Sequence, residues 1–138
     1  MHAVDQPALG VNTDAPMVEL CIPADPAYVR IARLAAGDMA GRAGFSVDEL
    51  DDVRLAVDEV CATLMGAGGR TLELRMQTRG RCLVIDGYSD GVRATIAPSE
   101  LSEMLLRALV DSYRFHVGNG VREDGIGFEL VKLAREIA

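Results

Sequence analysis

The stretch SVDELDDVRLAVDEVCATL, from Ser46 to Leu64, decides most of the fold. It opens with Ser46 and Glu49 at capping-box spacing, in which each side chain accepts a hydrogen bond from the other residue's backbone N–H. Apolar residues then recur at the 3.6-residue period of a helix with one buried side; they are Leu50, Val53, Val57, Val60, Cys61 and Leu64. We therefore predict an amphipathic helix packed against the rest of a single core.

The chain before this helix predicts one strand and one further helix. Val18, Leu20 and Ile22 alternate with other residues, as in a strand with one buried face, and Pro23 ends that strand. Asp25 followed by Pro26 is typical of a helix start. The predicted buried stripe of this helix consists of Ile31, Leu34, Ala35 and Met39, and Gly44 closes it. Residues 1–16 show no sustained period, so we predict a flexible tail before a domain over residues 17–138.

The chain after the helix predicts a hairpin, a strand, a helix and closing strands. The hairpin turns at Arg79–Gly80, and a third strand is predicted over residues 92–96. Ser99 caps the next helix, whose predicted buried side comprises Leu101, Met104, Leu105, Ala108 and Leu109. Tyr113, Phe115 and Val117 alternate like a strand, whereas residues 126–137 fit a strand or a helix equally well. This order predicts an α+β fold, a two-layer sandwich with a mostly antiparallel sheet and helices on one face.

Composition narrows the classes of function. The 138 residues carry a formal net charge of -7, which disfavours direct binding of nucleic acid. Apolar runs stay far below the roughly 20 residues of a membrane span, so we expect a cytoplasmic protein without membrane contact. Cys21, Cys61 and Cys82 are widely spaced, which disfavours a zinc site.

A second side of the helix from Ser46 carries the candidate chemistry. Asp52, Ala56, Glu59 and Thr63 follow one another at steps of three and four residues, so we expect them on a side distinct from the apolar stripe. The segment LAVDEVC, Leu55 to Cys61, resembles the LAVxEAC stretch of RsbW/SpoIIAB-type anti-sigma factors in the GHKL (histidine-kinase-like) ATPase superfamily. The resemblance implies the GHKL, or Bergerat-type, fold over roughly residues 18–135.

The resemblance also implies roles for single residues. In the family, this glutamate is the general base toward a serine hydroxyl of a partner protein, and an asparagine four residues later holds Mg²⁺. Glu59 is thereby the candidate catalytic base, and Thr63 stands at the metal position. Asp86 and Gly87 resemble the start of the family's D-x-G-x-G box, whose aspartate contacts adenine. Asp86, Gly87 and Thr63 are thus candidate contacts for ATP and Mg²⁺.

The glycines at 125 and 127 resemble the pair that opens the family's phosphate-binding helix. Too little chain follows them for the two strands that the family places after that helix, at about five residues per strand. We therefore align Ser99 to Asp111 with that helix, and Tyr113–Val117 and Gly127–Leu133 with the closing strands. Its glycine-rich start then falls on residues 97–101, which contain no glycine.

The resemblance implies an anti-sigma factor-like regulator that sequesters a sigma factor and is countered by a STAS-domain anti-anti-sigma protein. An active ATP-dependent serine kinase that phosphorylates this antagonist is an alternative, and whether the chain is an enzyme stays open because Thr63 replaces the family's asparagine. A second alternative is an unrelated α+β interaction domain. Family members often form homodimers. Without the resemblance, Glu59 is an ordinary solvated carboxylate, Asp86 a turn residue and Thr63 a structural one.

Overall fold

A computed structural model describes residues 16–90, 98–118 and 124–135. The strands are β1 (Met17–Pro23), β2 (Thr71–Arg79), β3 (Cys82–Ser89), β4 (Ser112–Val117) and β5 (Ile126–Leu133). The helices are α1 (Pro26–Arg42), α2 (Val47–Gly66) and α3 (Glu100–Leu109). None of these helices combines the length and apolar character needed to cross a membrane. The predicted tail, apart from Pro16, and the predicted strand over 92–96 lie outside the described residues.

The five strands form one sheet in the order β1-β2-β3-β5-β4, and every neighbouring pair is antiparallel. The last strand in sequence therefore lies between β3 and β4. The ambiguous segment after residue 126 is a strand, which confirms the alignment over Gly127–Leu133. Its residues from Ile126 to Val131 are all buried. The alternation of Ile126, Phe128 and Leu130 is therefore the correct signal, and the helical spacing of Ile126, Leu130 and Leu133 is coincidental.

One face of the sheet packs against the helices and forms the core. The strands contribute Ile22, Leu72, Leu74, Met76, Leu83, Ile85, Phe128 and Leu130. The side chains of α2 that pack on them include Val53, Val57, Val60 and Leu64. This arrangement confirms the predicted α+β, two-layer sandwich with an antiparallel sheet.

The predicted helix starts are confirmed by their hydrogen bonds. Asp25 accepts from the N–H of Ala27 at 2.9 Å, and Pro26 is the first residue of α1. Ser46 and Glu49 form the predicted capping box of α2. Ser99 caps α3 by accepting from the N–H of Ser102 at 3.1 Å. These polar residues define the helix boundaries because they satisfy N–H groups that have no partner within the helix.

The predicted buried sides of α1 and α3 are partly wrong. Ile31 and Leu34 of α1 are 46% and 53% exposed, and small residues such as Ala32, Ala36 and Ala40 are buried instead. In α3, Leu101, Met104 and Ala108 are exposed, whereas Leu106 and Leu109 are buried. Both helices are apolar over more than one side, so the period of apolar residues alone does not identify which side is buried. Alanines on the buried side of α1 let its backbone approach the neighbouring elements closely.

Candidate functional site

Glu59 lies on α2 where that helix meets the start of α3. Its Oε1 accepts a hydrogen bond from the Ser102 hydroxyl at 2.8 Å, and the carboxylate is partly exposed. Ser102 stands in the first turn of α3, where its N–H is held by the Ser99 cap. The predicted base therefore contacts a serine hydroxyl of its own chain. This contact joins the two helices.

Thr63 lies one turn after Glu59, and its hydroxyl donates to the Glu59 backbone carbonyl at 2.9 Å. This bond is a common arrangement for threonine inside a helix. Ala56, expected beside these residues, is fully buried in the core instead. Within the part of the chain that the structure describes, no three His, Cys, Asp or Glu side chains cluster where they could hold a metal ion.

Asp86 lies on the face of the sheet that is turned away from the helices. Ile85 before it points into the core, and successive strand residues point to opposite faces. Arg75 Nε donates to Asp86 Oδ1 at 2.9 Å across the β2–β3 pair. Glu129 stands opposite Asp86 on β5, and Arg114 Nε of β4 lies 3.4 Å from Glu129 Oε1. Asp86 thus belongs to a row of charged side chains across four strands.

Gly87, the next residue of β3, is on the side of the strand that faces the helices, and it lies against the core. A Cβ atom at this position would come within 2.4 Å of the Phe128 ring and 2.5 Å of the Glu73 carbonyl oxygen. Such distances leave no space for any side chain, so glycine is required for the packing of Phe128. The absence of a side chain at Gly87 is therefore explained by packing within the sheet.

The candidate contacts for ATP and Mg²⁺ do not converge on one site. Glu59 and Thr63 lie in the helical layer, Asp86 lies on the opposite face of the sheet, and Gly87 packs against Phe128. These described residues do not fit a nucleotide held between Glu59 and Asp86. This arrangement supports no chemical step through ATP.

Two contacts that join α2 and α3 could not be predicted from local sequence. Nothing in the spacing of Ser102 shows which helix it faces. Lys132, the single lysine of the chain, donates to the Leu109 carbonyl at 2.6 Å and lies 3.5 Å from Asp52 Oδ2. Its place could be inferred only once β5 was known to be a strand, since Leu130 then puts Lys132 on the core side.

The three cysteines are free thiols in different environments. Burial raises the pKa of the Cys61 thiol to about 12, and the nearby Asp58 carboxylate adds to this effect. Burial also raises the pKa of Cys82, with a further contribution from Asp111 and an opposing one from Arg79. Raised pKa values leave little nucleophilic thiolate at neutral pH. Cys61 and Cys82 are therefore poor candidates for nucleophilic catalysis.

Comparison with known proteins places the chain among ATPase-like domains. A family model described as histidine kinase-like ATPase domain matches residues 22–133. Proteins named serine-protein kinase RsbW from Bacillus velezensis and Bacillus subtilis are each 39% identical over 51 residues, which is 37% of this chain and 32% of the relative. The RsbW protein of Bacillus cereus (strain AH187) is 38% identical over 48 residues, or 35% of this chain and 30% of the relative. The chain spans about a third of the length of the curated relatives it matches.

Proposed function

Because the chain belongs to the histidine kinase-like ATPase domain family, we propose that it is an anti-sigma factor-like regulator of transcription. In this role it sequesters a sigma factor in the cytoplasm and is countered by a STAS-domain anti-anti-sigma protein. The partial similarity to RsbW proteins supports this role. Family membership over residues 22–133 rules out the alternative of an unrelated interaction domain.

One observation favours a binding role over catalysis. Asp86, the candidate adenine contact, is paired with Arg75 at 2.9 Å on the face opposite Glu59. Residues expected to share one catalytic site are therefore separated by the thickness of the sheet. Control of such a regulator would come from competition between its two protein partners for one surface.

The test uses purified proteins from the source organism. Each of its sigma factors is mixed with the full chain, and complexes are detected by size-exclusion chromatography and titration calorimetry. We expect a complex with one sigma factor in the absence of ATP, and we expect a STAS-domain protein to displace it. If the correctly folded chain binds none of these sigma factors, the proposed role is wrong. The same chromatography measures whether the chain forms a homodimer.

An active serine kinase is the second candidate, and the Glu59–Ser102 contact favours it. The carboxylate already accepts a hydrogen bond from a serine hydroxyl at 2.8 Å, as a base toward such a group must. The RsbW relatives are also named serine-protein kinases. Phosphate transfer to the STAS-domain partner that is lost in Glu59→Gln but kept in Ser102→Ala would establish this activity. Absence of transfer from the wild-type chain would leave the binding role alone.

A further inference from the structure

Helix α3 turns a wide apolar surface toward solvent. Leu101 and Met104 are 65% and 66% exposed, and Ala108 is exposed as well. Their spacing of three and four residues places them in one stripe along the helix. Leu106 and Leu109 on another side of α3 are buried. The helix therefore carries more apolar surface than the described part of the domain covers.

The neighbouring helix α2 continues this apolar stripe. Glu59 contacts Ser102 near the start of α3, whereas Lys132 links Asp52 to the last carbonyl of α3, that of Leu109. The two helices are therefore antiparallel neighbours. Leu55, one turn before Glu59 on α2, is 52% exposed, and Leu105 of α3 is partly buried. We call the side chains of Leu55, Leu101, Met104, Leu105 and Ala108 the α2–α3 surface.

Negative charge predominates on the two helices that carry the α2–α3 surface. Together, α2 and α3 contain eight carboxylates and two arginines, whereas the whole chain has a net charge of -7. Four of these carboxylates form ion pairs, with Arg33, Arg54, Arg107 and Lys132. Of the remaining carboxylates, Glu59 and Glu100 form no ion pair with any other described residue. Glu59 contacts Ser102 and Glu100 precedes Leu101, so both carboxylates border the α2–α3 surface.

We propose that the α2–α3 surface is the docking site for a basic amphipathic helix of the protein partner. A helix with apolar residues at positions i, i+3, i+4 and i+7 matches the exposed stripe, and flanking Lys or Arg side chains match the carboxylates. A second copy of this chain fits poorly, because its acidic helices would meet equally acidic ones. This inference rests on the proposed function, since it names the surface by which a sigma factor is held.

The first experiment uses two synthetic helical peptides of about 18 residues, or five turns. Both carry leucine at i, i+3, i+4 and i+7, and the remaining positions are mostly Lys in one peptide and Glu in the other. Binding is followed by NMR of the ¹³C-labelled methionine methyl groups of the full chain. Met104 is exposed on the surface, whereas Met39 and Met76 are buried elsewhere and act as internal controls.

We expect the Lys peptide to shift the Met104 signal, to leave Met39 and Met76 unchanged, and to bind more weakly as salt is raised. The Glu peptide should not bind. An unchanged Met104 signal, or equal binding of both peptides, would overturn the proposal.

The second experiment uses variants of the surface. Leu101→Ser combined with Met104→Ser should weaken binding of the Lys peptide at least about tenfold, as loss of central apolar contacts commonly does. The matched control is Val47→Ser, because Val47 is 75% exposed at the far end of α2, about two turns before Leu55. Circular dichroism establishes that each variant is folded. Equal losses in the control and the double variant would contradict the proposal.

The sigma-factor assay separates the two proposals. If a sigma factor binds the wild-type chain and the double variant equally well, the docking inference is wrong and the proposed function stands. If no sigma factor binds but the Lys peptide shifts Met104, the docking surface stands and the proposed function is wrong.

Discussion

At the scale of single residues, the thiols report how tightly the helical layer is packed. Cys61 is 1% exposed, and its pKa is raised to about 12, whereas Cys21 is exposed on β1. At pH 8 we expect Cys21 to react rapidly with a disulfide reagent and Cys61 to react only after unfolding, because the thiolate is the reactive form. Mass spectrometry of each labelled peptide measures both rates. Labelling of Cys61 as fast as Cys21 would contradict the described packing.

The raised pKa of Cys61 also sets the sign of a pH effect on stability. An unfolded thiol has a pKa of about 8.5. The buried neutral thiol therefore stabilises the folded chain fully below this pH, and the contribution is lost as pH rises toward the folded value. We expect the melting temperature to fall between about pH 8 and pH 10 more steeply in the wild type than in Cys61→Ala. Equal slopes would mean that Cys61 titrates normally. Cys82→Ala is the control for the smaller contribution of Cys82.

At the scale of the elements, Lys132 connects three of them. From β5 its amine donates to the Leu109 carbonyl at the end of α3 and reaches Asp52 of α2, and its side chain is only 13% exposed. Lys132→Met keeps most of the apolar stem but leaves both partners without their cation. We expect a loss of about 2 kcal/mol in the free energy of unfolding, measured with urea. Arg30→Met, at an exposed position of α1, is the control and should change stability little. If Lys132→Met leaves the free energy of unfolding unchanged, water replaces the amine in the variant.

The sequence predicts elements better than it predicts which side of an element is buried. Helix α2 and the hairpin could be predicted because caps, turn residues and periodicity agreed. In α3 periodicity could not choose between sides, since Leu101 and Leu106 are equally apolar and only packing decides. The face of Asp86 follows from the alternation of Leu83 and Ile85, which places Asp86 opposite the core, whereas similarity to a family motif carries no information about the face. The Ser102 contact depends on how two helices meet, which local sequence does not encode.

At the scale of the whole molecule, the sheet separates two polar systems. Glu59 and Ser102 lie in the helical layer, whereas Arg75 and Asp86 lie on the other face. We expect Ser102→Ala to cost about 1 kcal/mol, as for loss of one hydrogen bond. Asp86→Asn should cost at most about 1 kcal/mol, because Arg75 is 54% exposed and its pairing is screened by water.

This separation predicts how the two variants combine. Ser102 and Asp86 have no shared partner among the described residues and lie on opposite faces. The change in free energy of unfolding of the double variant should therefore equal the sum of the two single changes within about 0.5 kcal/mol. Ser102→Ala combined with Glu59→Gln, in contrast, should depart from additivity because those side chains touch. Urea unfolding of the single and double variants measures both coupling energies. A coupling above about 1 kcal/mol between Ser102 and Asp86 would show that the sheet does not separate them and would favour the alternative of an ATP-dependent kinase.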